Sequence, residues 1–250
     1  MIIIPAVDIK DGKCVRLMQG RMDQETVFAD DPAVMAQKWA DAGAELIHVI
    51  DLNGAFAKCP QNIDAIRKIL RRVRVPIQLG GGIRNQKTIE MYIDMGVKRV
   101  ILGSEAVRRP DFVDEACREF PNQIVLGIDA RNGYVAIDGW IHTTRVRAMD
   151  LAKQFENSGL AAINFTDIHR DGMQSGLNLV EIQNLAEAIE IPVIASGGVS
   201  TIDDIHKLLP LEPAGVVGVI VGKALYSGTL DFKAALKISG SLRAKRAPAQ

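Results

Sequence analysis

The chain repeats itself, and the repeat restricts its possible folds. Val75-Pro76-Ile77-Gln78-Leu79-Gly80-Gly81-Gly82-Ile83 aligns with Ile191-Pro192-Val193-Ile194-Ala195-Ser196-Gly197-Gly198-Val199. In both copies a short apolar run ends in glycines, and a helical pattern opens just beyond, after Asn85 and at Ser200. A second pair follows: Val100-Ile101-Leu102-Gly103-Ser104 aligns with Val219-Ile220-Val221-Gly222-Lys223. The acidic positions repeat too. Val7-Asp8-Ile9 matches Ile128-Asp129-Ala130, and Ile50-Asp51-Leu52 matches Thr166-Asp167-Ile168. Two copies of one supersecondary series, each near 120 residues, predict a duplicated architecture.

Within each copy, apolar runs of strand length alternate with helical periodicity. The expected strands are Ile2–Val7, Leu46–Ile50, Val75–Leu79, Arg99–Leu102, Gln123–Ile128, Ala161–Phe165, Val193–Ala195 and Val216–Val221. The expected helices are Ala33–Ala42, Ile63–Leu70, Thr88–Met95, Pro110–Phe120, Ala148–Asn157, Leu179–Ile189, Thr201–Leu209 and Leu230–Ile238. Asp31-Pro32 is a good N-cap and first-turn pair for the first helix, and Gly43 is its stop. The polar stretch from Ile9 to Asp31 carries no assignment. Arg131–Arg147 is a long excursion that reads as a small hairpin around Asn132-Gly133. Near-continuous apolar strands separated by helices are the pattern of a parallel sheet covered on both faces. Eight such units predict an α/β fold, a (β/α)8 TIM barrel built from two half-barrels, about Met1–Pro121 and Asn122–Gly240. An open doubly wound sheet is the alternative, disfavoured because no expected strand is polar enough for an edge. Ser239–Gln250 is basic, rich in small residues and aperiodic, and 241–250 is expected to be a disordered tail.

Composition narrows the function. Thirty Lys and Arg balance thirty Asp and Glu, so no overall basic field favours nucleic acid or a membrane surface. Cys14, Cys59 and Cys117 are scattered and odd in number, which suits reduced thiols in a cytoplasmic protein. Met1-Ile2-Ile3-Ile4-Pro5 lacks the charged start of a signal peptide and reads as a strand. No apolar run reaches the roughly 18 residues of a membrane span. His48, His142, His169 and His206 fall on unrelated elements and do not form a metal set.

In a parallel barrel every strand presents its C-terminal end at one rim. Asp8 and Asp129 end the first and fifth expected strands, which stand opposite in a ring of eight. Two opposed carboxyls can divide acid and base work if their surroundings separate their pKa values. Capping a loop or binding a lysine is the bland alternative for either one. For Asp51 and Asp167, structural hydrogen bonding is the expected role. Gly80-Gly81-Gly82 with Gly103-Ser104, and Gly197-Gly198 with Gly222-Lys223, form two repeat-related sets of turns suited to phosphate. They predict a ligand with a phosphate at each end. Asp171-Gly172-Met173-Gln174-Ser175-Gly176 is placed to close over the second phosphate, although an ordinary turn has the same composition.

Several of these segments resemble one family. Ile4-Pro5-Ala6-Val7-Asp8-Ile9-Lys10-Asp11-Gly12, Gly80-Gly81-Gly82-Ile83-Arg84, Gly127-Ile128-Asp129-Ala130-Arg131, Asp138-Gly139-Trp140 and Thr166-Asp167-Ile168-His169-Arg170-Asp171-Gly172 are similar to the histidine-biosynthesis isomerases. These are the phosphoribosylformimino-5-aminoimidazole carboxamide ribotide isomerases. The resemblance covers about residues 1–240. It implies an Amadori rearrangement of a bis-phosphorylated N-linked aminoaldose to an aminoketose, without a cofactor. It also implies Asp8 as general base, Asp129 as general acid and Thr166 as an assisting hydroxyl. Trp140 would stack on substrate, and Arg84 would reach the first phosphate. Loop six departs from the family pattern, with Met173 where threonine is commoner and Leu177 where proline is commoner. Backbone donors there would survive. Three alternatives stand beside this reading. One is a dual isomerase also accepting phosphoribosylanthranilate. Another is the sister cyclase subunit of imidazole glycerol phosphate synthase, disfavoured by Ile4-Pro5-Ala6-Val7-Asp8. The third is a non-catalytic phosphosugar-binding barrel, which would gain nothing from two carboxylates. The expected partner is the small bis-phosphate alone, bound by a monomer.

Overall fold

The computed structural model describes residues 1–18 and 20–246. Its strands are β1 (Ile2–Lys10), β2 (Lys13–Met18), β3 (Arg21–Ala29), β4 (Ile47–Asp51), β5 (Ile77–Gly80) and β6 (Arg99–Leu102) in the first half. The second half contributes β7 (Ile124–Arg131), β8 (Tyr134–Ile137), β9 (His142–Arg147), β10 (Ala162–Asp167), β11 (Val193–Ser196) and β12 (Val216–Val221). The ring runs β1-β4-β5-β6-β7-β10-β11-β12 and closes by parallel pairing of β12 with β1. All ring pairs are parallel, so the eight-unit barrel expected from the repeat is what forms.

The phase of each strand sorts its side chains into two cores. Ile3, Val7 and Ile9 face outward into a large shell shared with the helices. Ile4 and Ala6 face inward, where they meet Leu46, Val125, Ala162, Ile194 and Ile220. The interior is thus a packed plug, and only the rim above it is open to a ligand.

Three features differ from the sequence expectation, and a fourth follows it. The unassigned polar stretch after β1 forms the antiparallel pair β2–β3, laid against β1 with Asp8 opposite Val15. Its charged residues hide the alternation that buries Val15 and Leu17. The hairpin at Asn132-Gly133 is present, with φ of 53° and 77° at the two turn residues, the mirror-image turn that joins twisted strands. Short helices Leu52–Ala57, Ser104–Arg108 and Lys223–Ser227 were too brief to leave a period. The last helix runs Phe232–Arg246, past the Ile238 limit expected for it. Leu, Arg, Ala and Lys beyond Gly240 are good helix formers, and one glycine does not stop them. Of the expected tail, residues 247–250 lie outside the described residues.

Asp51 and Asp167 anchor the rim from below. The fully buried Asp51 carboxylate accepts from Gly54 N (2.8 Å), Gln61 N (2.8 Å), Asn62 N (3.0 Å) and Asn62 Nδ2 (2.6 Å). Asp167 accepts from His169 N (3.0 Å) and Asn178 Nδ2 (2.8 Å), with Arg170 Nε 3.6 Å away. Each also backs a glycine turn. A Cβ on Gly81 (φ 105°) would lie 2.1 Å from the Asp51 carbonyl oxygen, and one on Gly197 (φ 87°) 2.7 Å from that of Asp167. Both positions therefore exclude any side chain.

Truncating the better-satisfied anchor should hurt more. Asp51→Ala strands four donors, each costing about 1–3 kcal/mol if left dry. We expect a loss of about 3 kcal/mol or more in urea unfolding, and a smaller loss for Asp167→Ala. Equal losses would show that the two anchors are not graded by their donors.

Candidate active site

The two opposed acids come together over the barrel plug. Asp8 on β1 and Asp129 on β7 line one cavity, with Thr166 on β10 beside Asp129 in register. Also lining it are Gly80, Gly81, Gly82, Arg84, Gly103, Ser104, Trp140, Asp171, Gly172, Gly197, Gly198, Gly222 and Lys223. Every site residue expected from sequence is therefore at this cavity except one. Gly176 lies behind it, donating its N–H to Gly198 O (2.9 Å) and accepting at its carbonyl from Arg170 Nη1 (2.9 Å). It holds loop six onto the second glycine turn from outside the cavity.

The two acids have different neighbours. Arg16, delivered by β2, donates from Nη1 to Asp8 Oδ2 at 2.5 Å and from Nη2 to the Ala6 carbonyl. Its guanidinium lies 4.8 Å from the Tyr226 ring centre, and the Tyr226 hydroxyl donates to Ala6 O at 2.7 Å. Burial pushes the Asp8 carboxyl above the ordinary range, and the Arg16 charge pulls it back. Among the described residues no such cation is bonded to Asp129. Trp140 Nε1 donates to its Oδ2 at 2.8 Å, and the Thr166 hydroxyl donates as well. Its carboxyl is also raised by burial, and these two neutral donors lower it.

A third carboxyl completes the set. Asp171 in loop six is pushed up to about 7, first by burial, then by the charges of Asp8 and Asp129, with Arg16 and Lys223 opposing. Like charges in one dry pocket cannot all ionise together. Sequence reading placed Asp171 in a phosphate loop, and its nearness to both other acids required the fold. Arg16 was missed because nothing local marks it. His48, one of the four histidines that form no metal set, lines the cavity from β4. Burial and the Arg16 charge hold its imidazole neutral, at about 3, and Gln78 Nε2 sits 3.0 Å from its Nδ1.

The flanks carry the two glycine sets. Helices Ser104–Arg108 and Lys223–Ser227 start at Gly103 and Gly222 with no side-chain cap on their first amides. Lys223 Nζ donates to Gly172 O at 2.8 Å, tying loop six to the second set. Arg84 is already engaged, donating from Nη2 to Asp138 Oδ1 (2.8 Å) and from Nη1 to Glu105 Oε1 (3.3 Å). Met173 is exposed and Leu177 buried, so neither atypical loop-six residue supplies a polar group to the cavity.

A duplicated (β/α)8 barrel with acids opposed across its mouth and glycine turns on both flanks belongs to the class of phosphosugar-handling barrel enzymes. Comparison with known proteins narrows this. Residues 2–231 match the model of the family described as "Histidine biosynthesis protein", and the chain belongs to that family. A relative from Desulfosudis oleivorans is 61% identical over 241 residues, 96% of each chain. One from Desulfatibacillum aliphaticivorans is 59% identical over 94% of each chain. One from Geobacter sulfurreducens is 54% identical over 96% of this chain and 98% of its own. Each is called 1-(5-phosphoribosyl)-5-((5-phosphoribosylamino)methylideneamino) imidazole-4-carboxamide isomerase. Within its family this chain is an isomerase of histidine biosynthesis. Among the described residues no helix is long and apolar enough to cross a membrane.

The Asp171 shift makes a stability prediction. Its folded pKa, about 7, lies above the unfolded value near 3.8, so the folded state gains from the bound proton. That contribution is complete below the unfolded value and is lost as pH rises through about 7. Asp171→Asn should therefore raise Tm at pH 8 by at least about 2 °C, the shift made by roughly 1 kcal/mol in a chain of this size. At pH 4 the gain should vanish. A pH-independent difference would show that Asp171 is not the strained carboxyl.

Proposed function

We propose that the chain acts on the substrate in its relatives' names, converting its N-linked aminoaldose to an aminoketose. The observation that carries this reading is the placement of Asp8 and Asp129 on one cavity between two uncapped glycine sets. A ligand held at both phosphates would lie across the mouth with its sugar carbons between the acids. Gly80-Gly81-Gly82 with Gly103-Ser104 would take one phosphate. Gly197-Gly198 with Gly222-Lys223 and the Gly172 loop would take the other.

In the proposed sequence Asp129 protonates the ribose ring oxygen, and the C1–O bond breaks to leave a protonated Schiff base. Asp8, with Arg16 beside it opposing the upward pull of burial, removes the C2 proton. The electron pair of that bond moves to give the enolamine, which gains at C1 the proton held by Asp8 and loses its C2 hydroxyl proton to Asp129, leaving the ketone and both acids as they began. No electrons enter or leave, so the conversion needs no redox partner. Thr166 orients Asp129, and Trp140 stacks on the ligand. Asp171 is a second assignment of the donor: it lines the same cavity, and burial with its acidic neighbours pushes it up to about 7, so that part of it carries a proton at neutral pH. The same chemistry on phosphoribosylanthranilate stays open as an additional activity. Cys14 and Cys117 are buried free thiols and Cys59 an exposed one, in keeping with a reducing cytoplasm. A monomer is proposed.

Asp8→Asn should cut kcat by about 10²–10⁴-fold, the usual span for a proton-transfer group, while KM stays within a few-fold. Asp129→Asn and Asp171→Asn assign the donor: the residue whose loss abolishes the high-pH fall in kcat is the acid. The assay follows aminoketose formation from the purified aminoaldose. Wild-type turnover in Asp8→Asn would remove the mechanism.

A further inference from the structure

We propose that Asp138 is a positioning residue that couples the first glycine set to the Asp129 proton donor through Trp140. The inference rests on the reading of Asp129 given above. Three consecutive residues of loop five, Asp138, Gly139 and Trp140, have left-handed backbone, with φ of 58°, 63° and 70°. Glycine and aspartate tolerate this region, but the Trp140 side chain disfavours it. Such a turn persists only when its surroundings hold it.

The holders sit at its two ends. At the first end the Asp138 carboxylate is 5% exposed and accepts from two arginines. Arg84 Nη2 donates to Oδ1 at 2.8 Å, and Arg108 Nη1 donates to the same oxygen at 2.9 Å. Arg108 Nη2 donates to Oδ2, and Lys58 Nζ stands 3.8 Å from that oxygen. The backbone N–H of Asp138 donates to Ser104 Oγ at 2.9 Å. Arg84 and Ser104 are the polar side chains of the first glycine set, so Asp138 is fastened to it twice. At the second end Trp140 Nε1 reaches Asp129, and its ring lies over Gly20 so closely that a Cβ there would come within 2.4 Å. Arg131 Nη2 donates to the Trp140 carbonyl at 3.3 Å. Only Gly139 separates the two ends, and a Cβ on it would lie 3.1 Å from the Phe56 ring. The link has no slack.

Arg84 takes on a second role from this arrangement. A phosphate at the first glycine set would share its guanidinium with Asp138. Occupancy of that set would thereby bear on the hydrogen bond that Trp140 makes to Asp129.

The chain has two tryptophans, so 5-fluorotryptophan labelling of the full chain gives two ¹⁹F signals, with buried Trp39 as internal control. Asp138→Asn should shift or broaden the Trp140 signal, leave that of Trp39 in place, and lower kcat about tenfold or more. Arg108→Gln, which removes one half-exposed donor, should do the same to a smaller degree and covers the case in which Asp138→Asn does not fold. An unmoved Trp140 signal, or a kcat within twofold of wild type, in the folded variant overturns the proposal. Loss of kcat with both signals moving alike also overturns it, since that is general loosening. Failure of the Asp129 reading shows separately, as undiminished turnover in Asp129→Asn.

Discussion

The rim is built on a contact that only glycine permits. In each half the carbonyl of a strand-end aspartate presses against the Cα of the next strand's glycine turn, at Asp51–Gly81 and at Asp167–Gly197. The aspartate side chain meanwhile gathers the amides of its own loop. One residue thus fixes two successive loops, with the backbone as the fixing group on one side and the carboxylate on the other. Because the contact is made by main chain, it tolerates no drift in the turn. Both turns line the cavity, so the same contact fixes that part of its wall.

Above that frame the electrostatics are set by dehydration. Asp8, Asp129 and Asp171 share a pocket that takes their water away, and in each case burial is the largest cause of the upward shift. Arg16 is the cation beside Asp8, and Lys223 reaches the pocket with its ammonium tied to loop six. Three carboxyls with so little compensation favour a state holding a proton among them at neutral pH. The cost of holding them together is carried by the packed shell below.

Features with a local cause were legible in the sequence. The strands, the glycine sets and the pairing of Asp8 with Asp129 follow from short patterns and their repetition. The hairpin at Asn132-Gly133 follows from the φ > 0 demand of its turn. Features created by tertiary placement were not legible. Arg16 acquires its role only because β2 folds back on β1 with Val15 opposite Asp8. His48 faces the cavity because of the phase of β4, which five apolar-rich residues do not declare. Asp138 looks like any polar loop residue until Arg84 and Arg108 arrive from 54 and 30 positions away. Gly176, which the glycine pattern placed among the ligand-contacting residues, lies outside the cavity lining and seats the loop through Gly198 and Arg170.

The duplication also explains how two equivalent acids come to differ. Both β1 and β7 run past their aspartates into an antiparallel hairpin, β2–β3 in one half and β8–β9 in the other. Each hairpin region supplies the group that touches its own aspartate. In the first half that group is a guanidinium, in the second an indole N–H with a threonine hydroxyl beside it. A full positive charge favours the carboxylate over the acid more strongly than a neutral donor does. The carboxylate is therefore favoured more strongly by its neighbours at Asp8 than at Asp129. The symmetry of the repeat is thus broken by what each hairpin, and β10 beside the second, brings to its aspartate.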